Sequence, residues 1–344
     1  MNPMALLFPA WTCVMGFILG AFVGSFLNMA IYRLPRGKSF FNPSRSFCPN
    51  CEHALGAPDL FPILSWLLAR GRCRYCDQRI ASRYLWVEVL TGSLFAGVWF
   101  KYLTETYDPL RAGFSAIMIA CLIAVIYIDW ELYIIPDELN AAILVTAIAF
   151  QALQGNLHGA LVGGLTGWGI LFGIVLLGRL AFGKDAMGDG DVKMMRGVGA
   201  FLGPWLTVGN MAIAVVVGLI GGIAGILIAN RSKGSGEAEA ANDDDEPMPE
   251  ATPVPLVLLA GIWYLLCLDV LALFIPPLNK WVHRYFPEES VEEEDDWKPG
   301  ATTIPFGPYL AAGALICILF GAPIESGLKR YFHVAPDVSS TSEP

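Results

Sequence analysis

Charge is scarce in this chain. Asp, Glu, Lys and Arg make up 15% of its 344 residues, hydrophobic residues make up 55%, and the mean hydropathy is +0.54. Soluble domains carry charge on about 25% of their residues, so the shortage excludes a soluble protein and indicates a polytopic membrane protein. Other absences narrow the reading. The first apolar run has neither a basic n-region nor an A-x-A cleavage site, and reads as a retained helix rather than a removed signal. No G-x-G-x-x-G follows a predicted strand, so a dinucleotide-type cofactor fold has no signature. The Gly-rich run Met187–Lys193 lacks the Walker spacing and its Gly-Lys-Ser/Thr ending, which excludes a phosphate-binding loop. Much of the formal net charge of -9 sits in two runs, Glu237–Glu250 and Glu288–Asp296, that read as solvated loops and say little about partners.

Apolar runs near the roughly 20 residues a bilayer requires are Trp11–Ile31, Leu85–Tyr102, Gly113–Ile128, Ala141–Leu153, Leu161–Leu180, Val192–Leu202, Leu206–Ala229, Val254–Ile275 and Pro308–Phe320. Ala141–Leu153 and Val192–Leu202 are short. They need a protein-lined setting, a tilt, or union with their flanks. Arg33, Arg36, Lys38, Arg45, Arg70, Arg72, Arg74, Arg79 and Arg83 all fall between the first and second runs. The positive-inside rule puts that segment in the cytoplasm and the amino terminus outside. Alternating from there, the Asp129 end and the Gly183–Lys193 loop reach the same cytoplasmic side.

The segment between the first two runs carries Cys48-Pro-Asn-Cys51 and Cys73-Arg-Tyr-Cys76. Paired C-x-x-C knuckles whose thiolates can close a tetrahedron point to structural zinc, with Cys48, Cys51, Cys73 and Cys76 as ligands. Redox or disulfide pairs are disfavoured, because a cytoplasmic face keeps thiols reduced. Four thiolates need no histidine, which leaves His53 as a surface residue. Cys13, Cys121, Cys267 and Cys317 stand singly in apolar segments and read as small hydrophobes. The arginines around the knuckles fit anionic lipid more simply than nucleic acid.

Two aspartates stand at the edges of apolar runs: Asp129 in Ile128-Asp129-Trp130 and Asp191 in Gly188-Asp-Gly-Asp191. Carboxylates placed there are costly and mark function. Near a membrane surface such a pair is the minimum equipment of an aspartic protease: one ionised to activate water, the other protonated to polarise the carbonyl. Gly188 and Gly190 are expected to take φ > 0 and to let a substrate strand approach, presenting Asp191. Lys193 is placed to pair with a carboxylate or a lipid phosphate. Asp137, after Pro136, fits a helix cap, and Asp189 fits a solvated turn.

At this point the chain resembles the type IV prepilin peptidases, bifunctional leader peptidases and N-methyltransferases within the GxGD class of membrane aspartic proteases. The resemblance runs in order through Gly24-Ser-Phe-Leu-Asn-Met-Ala-Ile-Tyr-Arg-Leu-Pro35, both knuckles, Pro62-Ile-Leu-Ser-Trp66, Arg83-Tyr-Leu-Trp-Val-Glu88, Ile128-Asp129 with Ile135-Pro-Asp137, Gly188-Asp-Gly-Asp-Val-Lys193 and Pro305-Phe-Gly-Pro308. It implies that Asp129 and Asp191 are the catalytic pair, with Asp137 at the Pro-Asp position and Asp189 at the variable position between the glycines. It further implies cleavage of the basic leader of pilin-like or pseudopilin precursors after a Gly, on the cytoplasmic side of a bacterial inner membrane. Methylation of the new amino terminus by S-adenosylmethionine follows from the resemblance alone.

One region departs from that pattern. About seventy residues separate the run ending at Ala229 from Pro305-Phe-Gly-Pro308. Arg231–Pro253 reads as a disordered linker. Val254–Ile275 then either spans, placing Lys280, His283 and Arg284 outside, or is re-entrant or surface-lying; Asp269 within it reads as a polar residue facing protein or water. The expectation is therefore an all-α polytopic bundle of about eight to nine spans with a small cytoplasmic zinc-binding insert. Its parts are a first helix (1–33), the insert (34–84), a catalytic core (85–230), an acidic insert (231–304), and a last helix with a tail (305–344). Rival readings are a cation-coupled transporter, disfavoured because no repeat relates the halves, and an assembly factor that has lost activity.

Overall fold

The computed structural model describes residues 9–39, 47–48, 50–183, 187–232, 253–275 and 305–333. The two acidic runs, the linker between residues 233 and 252, and Lys280, His283 and Arg284 lie outside the described residues. Among the described residues the regular structure is helical, as expected, apart from two isolated β-bridges, Phe47 with Ala54 and Arg72 with Arg79.

α1 (Cys13–Arg33) and α3 (Arg83–Val98) form an antiparallel pair. Glycines four apart on α1 allow it: a Cβ on Gly20 would stand 2.6 Å from the Thr91 carbonyl oxygen and 2.9 Å from Gly92 Cα. Without a hydrophobic drive between helices in lipid, such close small-residue packing is what holds them. A π-helical turn, Trp99–Glu105, extends α3. Between the two helices lie the knuckles and one short helix, α2 (Leu64–Leu68).

α4 (Pro109–Leu132) is the centre of the bundle. Asp108 caps it by accepting from the Arg111 backbone N–H at 2.8 Å, Pro109 opens it, and Tyr133 closes it in the left-handed conformation. Ile119, Leu122, Ile123, Val125 and Ile128 along it are wholly buried. α5 (Asp137–Leu153) returns, and α6 (Leu157–Phe182), capped by Asn156, packs closely on α7 (Asp189–Leu202). α8 (Pro204–Ser232) is followed by two short helices, α9 (Val254–Leu265) and α10 (Leu268–Phe274), bent by 68° about the break at Cys267. α11 (Gly307–Tyr331) packs on α4, α7 and α8.

Five of these helices are long and apolar enough to cross a membrane: α1 with its flanking turns, α4, α6, α8 and α11. The bent pair makes a sixth if it is one span. The expected count of eight to nine is not reached by this measure, because Leu85–Tyr102, Ala141–Leu153 and Val192–Leu202 fall on α3, α5 and α7. Those helices have 16, 17 and 14 residues. At 1.5 Å per residue, 14 residues reach about 21 Å, short of a hydrocarbon core of about 30 Å. Residues 254–275 are not one straight helix: a left-handed Cys267 breaks them in two, with a bend of 68°.

Candidate active site and metal centre

Asp129 lies in the last turn of α4 and Asp191 is the third residue of α7. The two converge at the start of α11. A Cβ on Gly307 would stand 2.5 Å from Asp129 Oδ2, 3.0 Å from Asp191 Oδ1 and 3.0 Å from Ile135 Cδ1. One point therefore touches both carboxylates, and only a residue without a side chain fits there. Asp191 Oδ1 is buried with no hydrogen-bond partner among the described residues. Both residues are buried, at 6% and 7% exposure. Two such acids in mutual reach titrate as a unit.

The glycines of the Gly-Asp-Gly-Asp turn act differently from expectation. Gly188 caps α7 with φ -70, and Gly190 is not in the left-handed region either. What Gly190 provides is space: a Cβ there would lie 2.9 Å from the Ile135 Cβ. The Tyr133–Pro136 connection can thus pass close over the turn, with Ile135 beside the aspartate pair.

Lys193 pairs with Asp137, its ammonium 2.7 Å and 2.9 Å from the two carboxylate oxygens. Asp137 opens α5, but Pro136 occupies the cap position and no side-chain cap bond forms, so the Asp137 carboxylate serves to join α5 to α7. Asp189 is exposed, yet it accepts from the Tyr264 hydroxyl at 2.9 Å. The Lys193 ammonium lies 4.9 Å from the centre of the same tyrosine ring.

Arg196, on the same side of α7, was not singled out by the sequence. Asp189, Lys193 and Arg196 recur at intervals of four and three, so one face of α7 is charged while Asp191, Met195 and Val198 turn to the core. Arg196 forms a two-pronged pair with Asp269 on α10, at 3.0 Å and 2.8 Å, and also donates to the Tyr264 carbonyl. Both side chains are 5% exposed. The bent pair α9–α10 is thus tied to the helix that carries Asp191. At the other aspartate, Arg83 donates to both carboxylate oxygens of Glu131, two residues beyond Asp129.

The four knuckle cysteines come together. The Sγ atoms of Cys48, Cys51, Cys73 and Cys76 all lie within 4.8 Å of one another, with Cys48 and Cys76 at 3.9 Å. A tetrahedral thiolate site with zinc–sulfur bonds of about 2.3 Å has sulfurs about 3.8 Å apart, so the donor set fits a metal. The knuckles repeat one geometry. Cys48 and Cys73 donate to the carbonyls of His53 and Gln78, and Glu52 and Asp77, each following a second cysteine, are left-handed and donate back to Cys48 and Cys73. The Gln78 backbone N–H, aided by the Asn50 amide, lowers the Cys76 thiol to about 7, favouring the ligating thiolate. His53 is no ligand; its ring stacks on Tyr75 at 3.7 Å, and Tyr75 in turn donates to Asp59 at 3.0 Å.

Two parts of the chain match known protein families. Residues 18–102 match the bacterial peptidase A24 N-terminal domain, which contains the cysteine cluster, and residues 116–225 match the type IV leader peptidase family, which contains both aspartates. A Myxococcus xanthus (strain DK1622) protein named prepilin leader peptidase/N-methyltransferase is 32% identical over 312 residues, 89% of this chain and 89% of its own. Proteins of the same name from Aeromonas hydrophila and Neisseria gonorrhoeae are 33% and 31% identical over 240 and 243 residues, covering 62% and 63% of this chain and 81% and 82% of theirs. No solved structure matches the chain. With its several membrane-spanning helices, its four-cysteine cluster and its similarity to that relative along most of both lengths, the chain belongs to the type IV leader peptidase family.

Proposed function

We propose that the protein is a prepilin leader peptidase and N-methyltransferase, with Asp129 and Asp191 as its catalytic pair. The observation that carries the reading is the meeting of two buried carboxylates, from α4 and α7, at a position kept open by Gly307. One carboxylate, ionised, takes a proton from water as the water oxygen bonds to the scissile carbonyl carbon. Its neighbour, protonated, gives a proton to the carbonyl oxygen. The tetrahedral intermediate then collapses with proton transfer to the leaving nitrogen, and the peptide bond breaks. Positioned acid and base catalysis of this kind contributes about 10²–10⁴-fold.

The substrate in this reading is a pilin-like or pseudopilin precursor whose apolar helix lies in the bilayer and whose basic leader meets the cytoplasmic face. The site then faces the cytoplasm from a bacterial inner membrane, in accord with the arginines between α1 and α3. The ion at Cys48, Cys51, Cys73 and Cys76 is zinc, and it is structural, since four thiolates leave no position for water. Methylation draws on S-adenosylmethionine, on the strength of the resemblance and of the relatives' names. In the same reading α3 with its π-helical turn, α5 and α7 cross within the protein-lined bundle, giving eight spans, or nine with the bent pair.

The test is cleavage by purified protein in detergent of a precursor with a basic leader, a Gly at the junction and an apolar helix. The parent is expected to cleave, and Asp129→Asn and Asp191→Asn are each expected to lose about 10²–10⁴-fold. Cleavage by both variants at the parent rate would refute the pair. A folded parent that does not cleave would favour the transporter or assembly-factor readings.

A further inference from the structure

By its charge, the cysteine-bearing segment belongs outside the bilayer, but its contacts place one part of it deeper. The antiparallel register of α1 and α3 supplies a depth scale. Gly20 faces Thr91 and Gly92, Gly24 faces Glu88, and Asn28 donates to the Tyr84 carbonyl at 3.0 Å. Arg33, at the end of α1, stands nine residues from Gly24, and Arg83 opens α3 five residues before Glu88. At 1.5 Å per residue, the Gly24–Glu88 level is about 13 Å inward from Arg33 and about 7 Å inward from Arg83.

The middle of the insert sits at that level. The Ile63 backbone N–H donates to Glu88 Oε2 at 2.7 Å, and the Phe61 ring meets Phe22 edge-on at 5.5 Å. Glu88 is buried in α3, and a carboxylate at that depth requires donors; the insert backbone supplies one. The helical part of the stretch also satisfies its own main chain: Ser65 donates to Phe61, Leu67 to Ile63, Ala69 to Ser65 and Gly71 to Trp66, at 2.9–3.1 Å. Main-chain satisfaction of this kind is what hydrocarbon demands. Meanwhile Leu60, Phe61, Leu64, Leu67 and Leu68 turn outward, 40–80% exposed. Exposed arginines follow at 70, 72, 74 and 79.

We infer that Leu60–Leu68 is a wedge immersed in the membrane leaflet, its leucines and phenylalanine among acyl chains and the arginines after it among anionic headgroups. An apolar face with a basic border is the pattern of segments that lie in the interface. The wedge fixes the cysteine cluster against the bilayer surface. It leaves a membrane-attached platform on the same side as the aspartate pair, because Arg83 and Glu131 tie the start of α3 to the end of α4.

The inference is independent of the proposed activity and is tested on the full chain in phosphatidylcholine–phosphatidylglycerol vesicles. Photoreactive benzoylphenylalanine replaces Leu64 or Leu68. Leu161, exposed on α6, is the lipid-facing control, and Glu52, exposed on the first knuckle, is the aqueous control. Phospholipid adducts at 64 and 68 are expected within about threefold of those at 161 and at least about tenfold above those at 52. Adducts at 64 and 68 no more frequent than at 52, or adducts to protein instead of lipid, overturn the inference and make the face a protein-docking surface. Hydroxyl-radical footprinting of the unsubstituted chain is a second arm. Normalised to the labelling of the same residues in the denatured chain, Phe61 and Leu68 are expected to be protected at least about fivefold more than Tyr75, and equal protection counts against immersion.

Discussion

Replacing Gly307 with alanine probes the aspartate pair without touching either carboxylate. The added Cβ would lie 2.5 Å from Asp129 Oδ2 and 3.0 Å from Asp191 Oδ1. Carbon and oxygen need more than 3 Å, so at least one carboxylate, or the start of α11, must shift by several tenths of an ångström to about 1 Å. Misplacement on that scale costs about 10²-fold in rate. The new methyl enters only at the first residue of α11 and the rest of that helix keeps its packing on α4 and α8, so the fold is expected to survive, with cysteine-bound metal retained and thermal melting little altered. The assay is steady-state cleavage of the precursor. The expected result is a kcat reduced by about 10²-fold or more with KM changed by less than about threefold, because the perturbation falls on the reacting groups and not on the bound helix. A Gly307→Ala variant that cleaves within about threefold of the parent would refute the convergence of the two aspartates at Gly307.

Asp269→Asn leaves Arg196 buried without its counter-charge, and a broken buried pair costs about 3–5 kcal/mol; a fall in thermal melting is expected, largely restored by Arg196→Met with Asp269→Leu. Tyr264→Phe keeps the ring beneath Lys193 but removes the hydrogen bond to Asp189, worth about 1 kcal/mol, and cleavage is expected to fall by roughly fivefold; an unchanged kcat would show that the Asp189 contact does not steady the turn. Metal retention follows the thiolates: the Cys76 thiol is lowered to about 7 but that of Cys51 is raised to about 11, so retention at neutral pH rests on the ion displacing both protons and is lost as pH falls. Release to a chromophoric chelator is expected with a midpoint below pH 7, and release beginning above pH 8 would contradict the assignment. Cys76→Ser should release metal at neutral pH while Asp129 and Asp191 stay in place.

The aspartates and the cysteines were legible because their chemistry is written in short motifs: a carboxylate at the edge of an apolar run, and two C-x-x-C pairs. The spans α1, α4, α6, α8 and α11 were legible for the same reason, being long and uniformly apolar. What the sequence concealed depends on approach between distant segments. Gly188 and Gly190 carry no mark telling left-handed φ from lack of room, and only the passage of Ile135 decides it for Gly190. Asp137 after Pro136 has the pattern of a cap, but the Lys193 ammonium 2.7 Å away redirects it. The role of Gly307 is invisible in Pro305-Phe-Gly-Pro308 until α11 is laid against α4 and α7.

α7 serves two partners at once, and its composition reflects both. Its 14 residues place Asp191 toward α4 and α11 while Asp189, Lys193 and Arg196 face α5, α9 and α10. Arg196 falls inside the part of the chain that matches the type IV leader peptidase family, whereas Asp269 and Tyr264 fall beyond it. A buried guanidinium cannot stay unpaired. The charged face of α7 therefore depends on the segment by which the chain departs from the family pattern. A helix too short to be anchored by its own length is held instead along its charged face, by Lys193–Asp137 and Arg196–Asp269. The turn carrying Asp191 lies immediately before those two fixed points, as a carboxylate needs if it is to meet its partner beside Gly307 without reorganising.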